Sequence, residues 1–191
     1  MPKTGAMTAA GRTLGIASLC ALLLVRAAST DAAAYESEAA LIFKIGKFVS
    51  WPAGTFANSR TTLRLCIVGT DAGAEDVDSL AGQKLQEKVI SIARLSIPEQ
   101  SASECHIVFI RKSERDRLPA ILGALARSPV LTISDIEGFA AEGGMIGFTA
   151  TDGRIHFEIN AAASKRAGLT IGAQLLQIAA LSGDERADSG P

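Results

Sequence analysis

Signatures of catalysis and of metal binding are missing from this chain. It contains no H-E-x-x-H, no G-x-S-x-G, no C-x-x-C and no Walker-type lysine loop. Its two histidines, His106 and His156, each lie within an apolar strand-like run, which makes a poor ligand set for a metal. These absences argue against an enzyme and against a resident metal or cofactor. A positive excess is missing too: the formal net charge is −1 and there is no basic run, so nucleic acid has little to hold. Aromatic residues are few, with one Trp, one Tyr and seven Phe, so little aromatic surface is on offer. After Val25 no apolar stretch approaches membrane-spanning length, and no internal repeat is present.

The chain does carry an N-terminal leader. Lys3 and Arg12 precede an apolar run from Leu14 to Val25, followed by small residues ending in Ala32-Ala33-Ala34. This is the plan of a signal peptide spanning 1–34, with Tyr35 as the mature start and an exported product. A lipoprotein signal acylated at Cys20 and an uncleaved anchor are alternatives. Leu19 disfavours the first, and Arg26 interrupts the run. Cleavage removes Lys3, Arg12, Arg26, Asp31 and Cys20, leaving a faintly acidic domain with Cys66 and Cys105. Two thiols in an oxidising compartment point to one disulfide; two buried free thiols are the other reading.

Within the mature chain, apolar residues at Ala39, Leu41, Ile42, Ile45, Phe48 and Val49 recur at helical spacing, and Trp51-Pro52 marks the end of that helix. Residues 63–68 read as a nearly continuous apolar strand, stopped by the loop Gly69 to Gly73, and a short helix follows from Glu75 to Leu80. Further strands are expected over 89–94, 106–110 and 130–133. Ser113 and Asp116 resemble a capping box that opens a helix through Leu118, Ile121, Leu122 and Leu125. Asp152-Gly153 between two apolar runs predicts a hairpin of 145–149 and 154–159. Helices over 161–167 and 171–181 close the domain, leaving 183–191 as a disordered tail.

Strands that alternate with helices imply a three-layer α/β sandwich over 35–182, with a mostly parallel central sheet of about six strands, a C-terminal hairpin and helices. The first and third strands are expected to be neighbours, which would bring Cys66 and Cys105 within disulfide reach. Alternation along the last strand puts His156, Glu158 and Asn160 on one face, either as a solvated edge or as a recognition surface. The loop after Val68 lacks the G-x-G-x-x-G spacing of a phosphate site and reads as an ordinary turn. A periplasmic small-ligand-binding protein with that loop as its pocket is the alternative to an interaction protein.

The motifs in order resemble the YfiR family of small periplasmic proteins (DUF4154). They are Ala39 to Pro52, Leu65-Cys66-Ile67-Val68-Gly69, Leu80 to Lys84, Cys105 to Ile110, Pro129 to Asp135, Gly138-Phe139-Ala140, Gly143 to Phe148 and Arg154 to Asn160. The resemblance implies a negative regulator that binds the periplasmic domain of an inner-membrane diguanylate cyclase. Binding would lower cyclic-di-GMP and restrain biofilm formation. It also implies that Cys66 and Cys105 occupy the family's disulfide positions. The second cysteine pair of some members is absent here, because Ala140 to Phe148 holds no cysteine. Ile146, Phe148, Glu158 and Asn160 are carried over as partner-binding candidates. A homodimer and a small-molecule ligand are further implications that the residues themselves do not show.

Overall fold

A computed structural model describes residues 37–57, 61–71, 74–96, 102–151 and 154–188. The expected leader, 1–34, and the turn residues Asp152 and Gly153 lie outside the described residues.

The first helix, α1 (Glu38–Lys47), begins where Ser37 Oγ accepts a hydrogen bond from the Ala40 amide at 3.2 Å. Glu38 in the first turn and Lys44 and Lys47 in the last complement the helix dipole. Helix α1 ends at Lys47, ahead of the expected Trp51-Pro52 stop, because β1 (Val49–Ser50) pairs antiparallel with β9 (Thr170–Ile171). The same pairing delays the last helix, α5 (Ala173–Asp188), which runs six residues into the segment expected as a tail.

The remaining strands are β2 (Thr62–Val68), β3 (Lys84–Leu85), β4 (Lys88–Leu95), β5 (Ile107–Ile110), β6 (Leu131–Ser134), β7 (Ile146–Thr151) and β8 (Arg154–Ile159). They form a seven-stranded sheet in the order β3-β4-β2-β5-β6-β7-β8. The four central pairings, from β4 to β7, are parallel, and the outermost pairings, β3-β4 and β7-β8, are antiparallel. β2 and β5, the expected first and third strands, are direct neighbours, with Cys66 opposite Val108.

Two apolar layers sandwich the sheet. On one face, Leu63, Leu65, Ile67, Ile107, Phe109 and Ile133 pack against α1 and against Val77 of α2 (Ala74–Asp78). Ala163 of α4 (Ala161–Arg166) and Leu175 of α5 complete this layer. On the other face, Cys66, Val68, Val108 and Ile110 pack against Leu118, Ile121 and Leu125 of α3 (Leu118–Leu125). Fully apolar strands such as β5 follow from burial on both sides. The fold is the three-layer α/β arrangement expected from the sequence, with the two-residue β1, β3 and β9 as additions.

The capping box expected at Ser113 is not formed. A six-residue 3₁₀ turn (Lys112–Arg117) precedes α3, and Ser113 is committed elsewhere: its Oγ accepts from the Thr70 amide and its amide donates to Asp71 Oδ2.

Candidate functional site

Three groups of polar side chains interrupt the apolar layers. The first is at the C-terminal ends of the parallel strands. Strand β2 leads through α2 to β4 on one side, while β5 leads through α3 to β6 on the other, so the connections diverge between β2 and β5. Such a divergence opens a crevice where α/β folds commonly place ligands. Here it is filled by Arg111, whose side chain is only 4% exposed. Its Nη1 donates to Glu38 Oε2, its Nε lies 3.7 Å from Asp71 Oδ2, and its guanidinium stacks 5.3 Å from the centre of the Phe109 ring.

Gly69 makes this filling possible. Its φ is +116°, and an added Cβ would come within 2.8 Å of Arg111 Cβ and 2.7 Å of Ser113 Oγ. Gly69 and Thr70, at the start of the loop after Val68, are therefore packed against the 3₁₀ turn. Asp135, directly after β6, is 8% exposed, and its Oδ1 has no hydrogen-bond partner among the described residues. Burial pushes its carboxyl above the ordinary value, against the pull of Arg111 and Lys112. Burial also raises Glu38, opposed by its hydrogen bond to Arg111. No group of three or more His, Cys, Asp or Glu side chains that could hold a metal exists among the described residues.

The second group is at the opposite ends of β2 and β5. Cys66 and Cys105 form a disulfide with their Cα atoms 6.0 Å apart, joining the middle of β2 to the residue pair that precedes β5. Next to it, His106 is buried and stacks on Phe56 with ring centres 4.5 Å apart. Its Nδ1 accepts from the Arg64 amide at 3.0 Å, and its backbone carbonyl accepts from Trp51 Nε1. Burial lowers the His106 pKa, helped by the charge of Lys88, whose ammonium stands 4.2 Å over the Phe56 ring. A neutral ring is required here, since a protonated Nδ1 would face the Arg64 amide donor to donor.

The third group is the β7-β8 hairpin, where the register pairs Gly147 with Glu158 and Thr149 with His156. Ile155, Phe157 and Ile159 pack toward the α5 layer, so His156 and Glu158 are on the α3 side of the sheet, as alternation requires. The partner-binding candidates separate into two pairs. Ile146 is fully buried, and Phe148 is buried and stacked on Phe109 at 5.9 Å, so both belong to the core beneath the hairpin. Glu158 and Asn160 are half-buried. Asn160 also holds the chain in place: Oδ1 caps α4 through the Ala163 amide and Nδ2 donates to the Ala140 carbonyl.

Sequence reasoning missed the Arg111 group. The signal was present in Arg111 and Asp135, each a charged residue directly after a wholly buried strand. In a parallel sheet, such positions converge at one edge.

A model of the YfiR/HmsC-like family matches residues 35–180. No curated protein matches the chain. Among solved structures, a conserved domain protein from Vibrio cholerae O1 biovar El Tor str. N16961 is similar, with a TM-score of 0.49 and 11% identity. The similarity covers 61% of this chain and 53% of that structure, so the chain spans about half of its length.

Proposed function

Because the chain belongs to the YfiR/HmsC-like family, a regulatory family, we propose that it is a periplasmic negative regulator. In this reading it binds the periplasmic domain of an inner-membrane diguanylate cyclase, keeps cyclic-di-GMP low and restrains biofilm formation. The observation that carries the reading is the family match across 35–180, which takes in nearly every described element. A disulfide between Cys66 and Cys105 suits an oxidising compartment. No helix among the described residues is long and apolar enough to cross a membrane, so contact with a membrane enzyme would run through its exported part.

The partner contact is assigned to the β7-β8 hairpin. Glu158 and Asn160 would meet the partner directly, whereas Ile146 and Phe148 would act from below by fixing the shape of the hairpin. A half-buried polar strand face is the kind of surface that supports a regulated contact of moderate affinity. Co-purification from crosslinked membranes, followed by mass spectrometry, should recover an inner-membrane protein with a diguanylate cyclase domain. A Glu158→Lys variant should lose it while retaining its melting temperature. Equal recovery by the variant would move the contact elsewhere, and recovery of no cyclase by either protein would oppose the reading.

A further inference from the structure

On β2, Thr62, Arg64, Cys66 and Val68 share one face of the sheet, because side chains alternate along a strand. The last two belong to the apolar layer under α3, but the first two are polar. The neighbouring strand continues the pattern, with Ser91 of β4 in register with Arg64. The packed apolar layer thus stops at the disulfide, and beyond it this face carries Thr62, Arg64 and Ser91 as a polar floor, with Val89, in register with Thr62, exposed at its margin. Above that floor is a cleft of about 430 Å³, walled by Ser103 and Glu104 of a 3₁₀ turn (Ala102–Glu104) and by Pro129. Its volume falls within the range of clefts that hold small molecules.

We infer that this cleft is a binding site for a small neutral saccharide. The charge of the lining decides the class. Arg64 and Glu104 are its one cation and one permanent anion, and they already pair at 3.1 Å. An anionic ligand would meet Glu104 beside Arg64, and a cationic one Arg64 beside Glu104, so neither finds an uncompensated charge in the lining. An apolar ligand would strip water from the hydroxyls of Thr62, Ser91 and Ser103 without replacing it, which costs about 1–3 kcal/mol for each buried polar group left unmade. A polyhydroxylated neutral molecule avoids both penalties. Its hydroxyls both donate and accept, as serine and threonine hydroxyls do. Adjacent sugar hydroxyls can also bridge the planar guanidinium and the carboxylate of the intact Arg64–Glu104 pair.

The floor is rigid enough to present these groups. The Cys66–Cys105 bridge ties β2 to the start of β5, and the His106 ring is locked between the Arg64 amide and Phe56. The site is independent of the proposed partner contact, because its lining includes no residue of the β7-β8 hairpin.

The test is a titration of the mature protein, followed by amide NMR, with glucose, N-acetylglucosamine, a neutral disaccharide, glucuronate and glucose 6-phosphate. A neutral sugar should shift the amides of Thr62, Arg64, Ser91 and Ser103 in a saturable way, with a Kd in the micromolar to millimolar range. Arg64→Met should weaken that binding at least about tenfold, a loss of roughly 1.4 kcal/mol. Ser103→Trp, at an exposed position on the rim, should block the cleft without disturbing the fold. No saturable shift with any neutral sugar would overturn the inference. So would binding that survives both variants, or a preference for the two anionic sugars over the neutral ones.

Discussion

Arg111 is a buried cation, its side chain 4% exposed, and it is tolerable only with its partners in place. Removing one partner of a buried ion pair typically costs about 3–5 kcal/mol, because the other charge is left uncompensated. Arg111→Met should therefore lower stability by about 3 kcal/mol in urea unfolding, since Glu38 is partly exposed. The double variant Arg111→Met/Glu38→Gln should recover part of that loss. A double variant no more stable than the single one would contradict the pairing. His106 gives the complementary pH dependence. Its folded-state pKa lies below the ordinary 6.5, so unfolding takes up a proton between the two values. Stability is full above about 6.5 and falls as the pH drops toward the folded pKa. His106→Asn, which retains an acceptor but does not titrate, should flatten that slope in unfolding curves between pH 7.5 and 5.5, on the order of one unit either side of the ordinary value. An unchanged slope would assign the effect to another group. Glu38 and Asp135 carry the opposite sign: with raised pKa values, their contribution is full below the ordinary 4.5 and 3.8 and lost as pH rises through the folded values.

Between elements, the disulfide is the covalent tie, closing a loop of 39 residues between β2 and β5. Loop closure of that size constrains the unfolded chain by about 4 kcal/mol in the chain-entropy model. Cys66→Ser/Cys105→Ser should lower stability by about 2–4 kcal/mol, and thiol titration of the denatured, unreduced parent should find no reactive cysteine. Two reactive thiols, or equal stability of parent and variant, would contradict a bridge that braces the sheet. The elements legible in the sequence were those with strong periodicity or continuous apolar runs, such as α1, β2 and β5. Others were hidden for physical reasons. The β3-β4 hairpin turns through Gln86 and Glu87, both at positive φ, where the sequence offers no Gly, Asn or Asp as a signal. Gln86 occupies that backbone conformation while its Nε2 donates to the Gly46 and Val49 carbonyls, a tertiary contact that no local pattern reveals. Ser113 carried a local capping signal that tertiary contacts with Thr70 and Asp71 overrode.

Across the whole molecule, three layers place an ion-pair group at one end of the parallel strands and a polar cleft at the other. The fold class was readable from the alternation of apolar strands and helices, and so was the polar face of β8. The burial of Ile146 and Phe148 was not, because a hairpin face can meet either solvent or a packed layer, and here both residues join the layer that α5 completes. No catalytic constellation was legible from sequence motifs, and regulation by contact then rests on the family and on the hairpin face. The most direct measurement of that role is intracellular cyclic-di-GMP in three otherwise identical strains: parent, gene deletion, and deletion complemented with the Glu158→Lys variant. A regulator that restrains a cyclase through this face predicts a raised level in the deletion that the variant fails to restore. An unchanged level in the deletion under several growth conditions would contradict it.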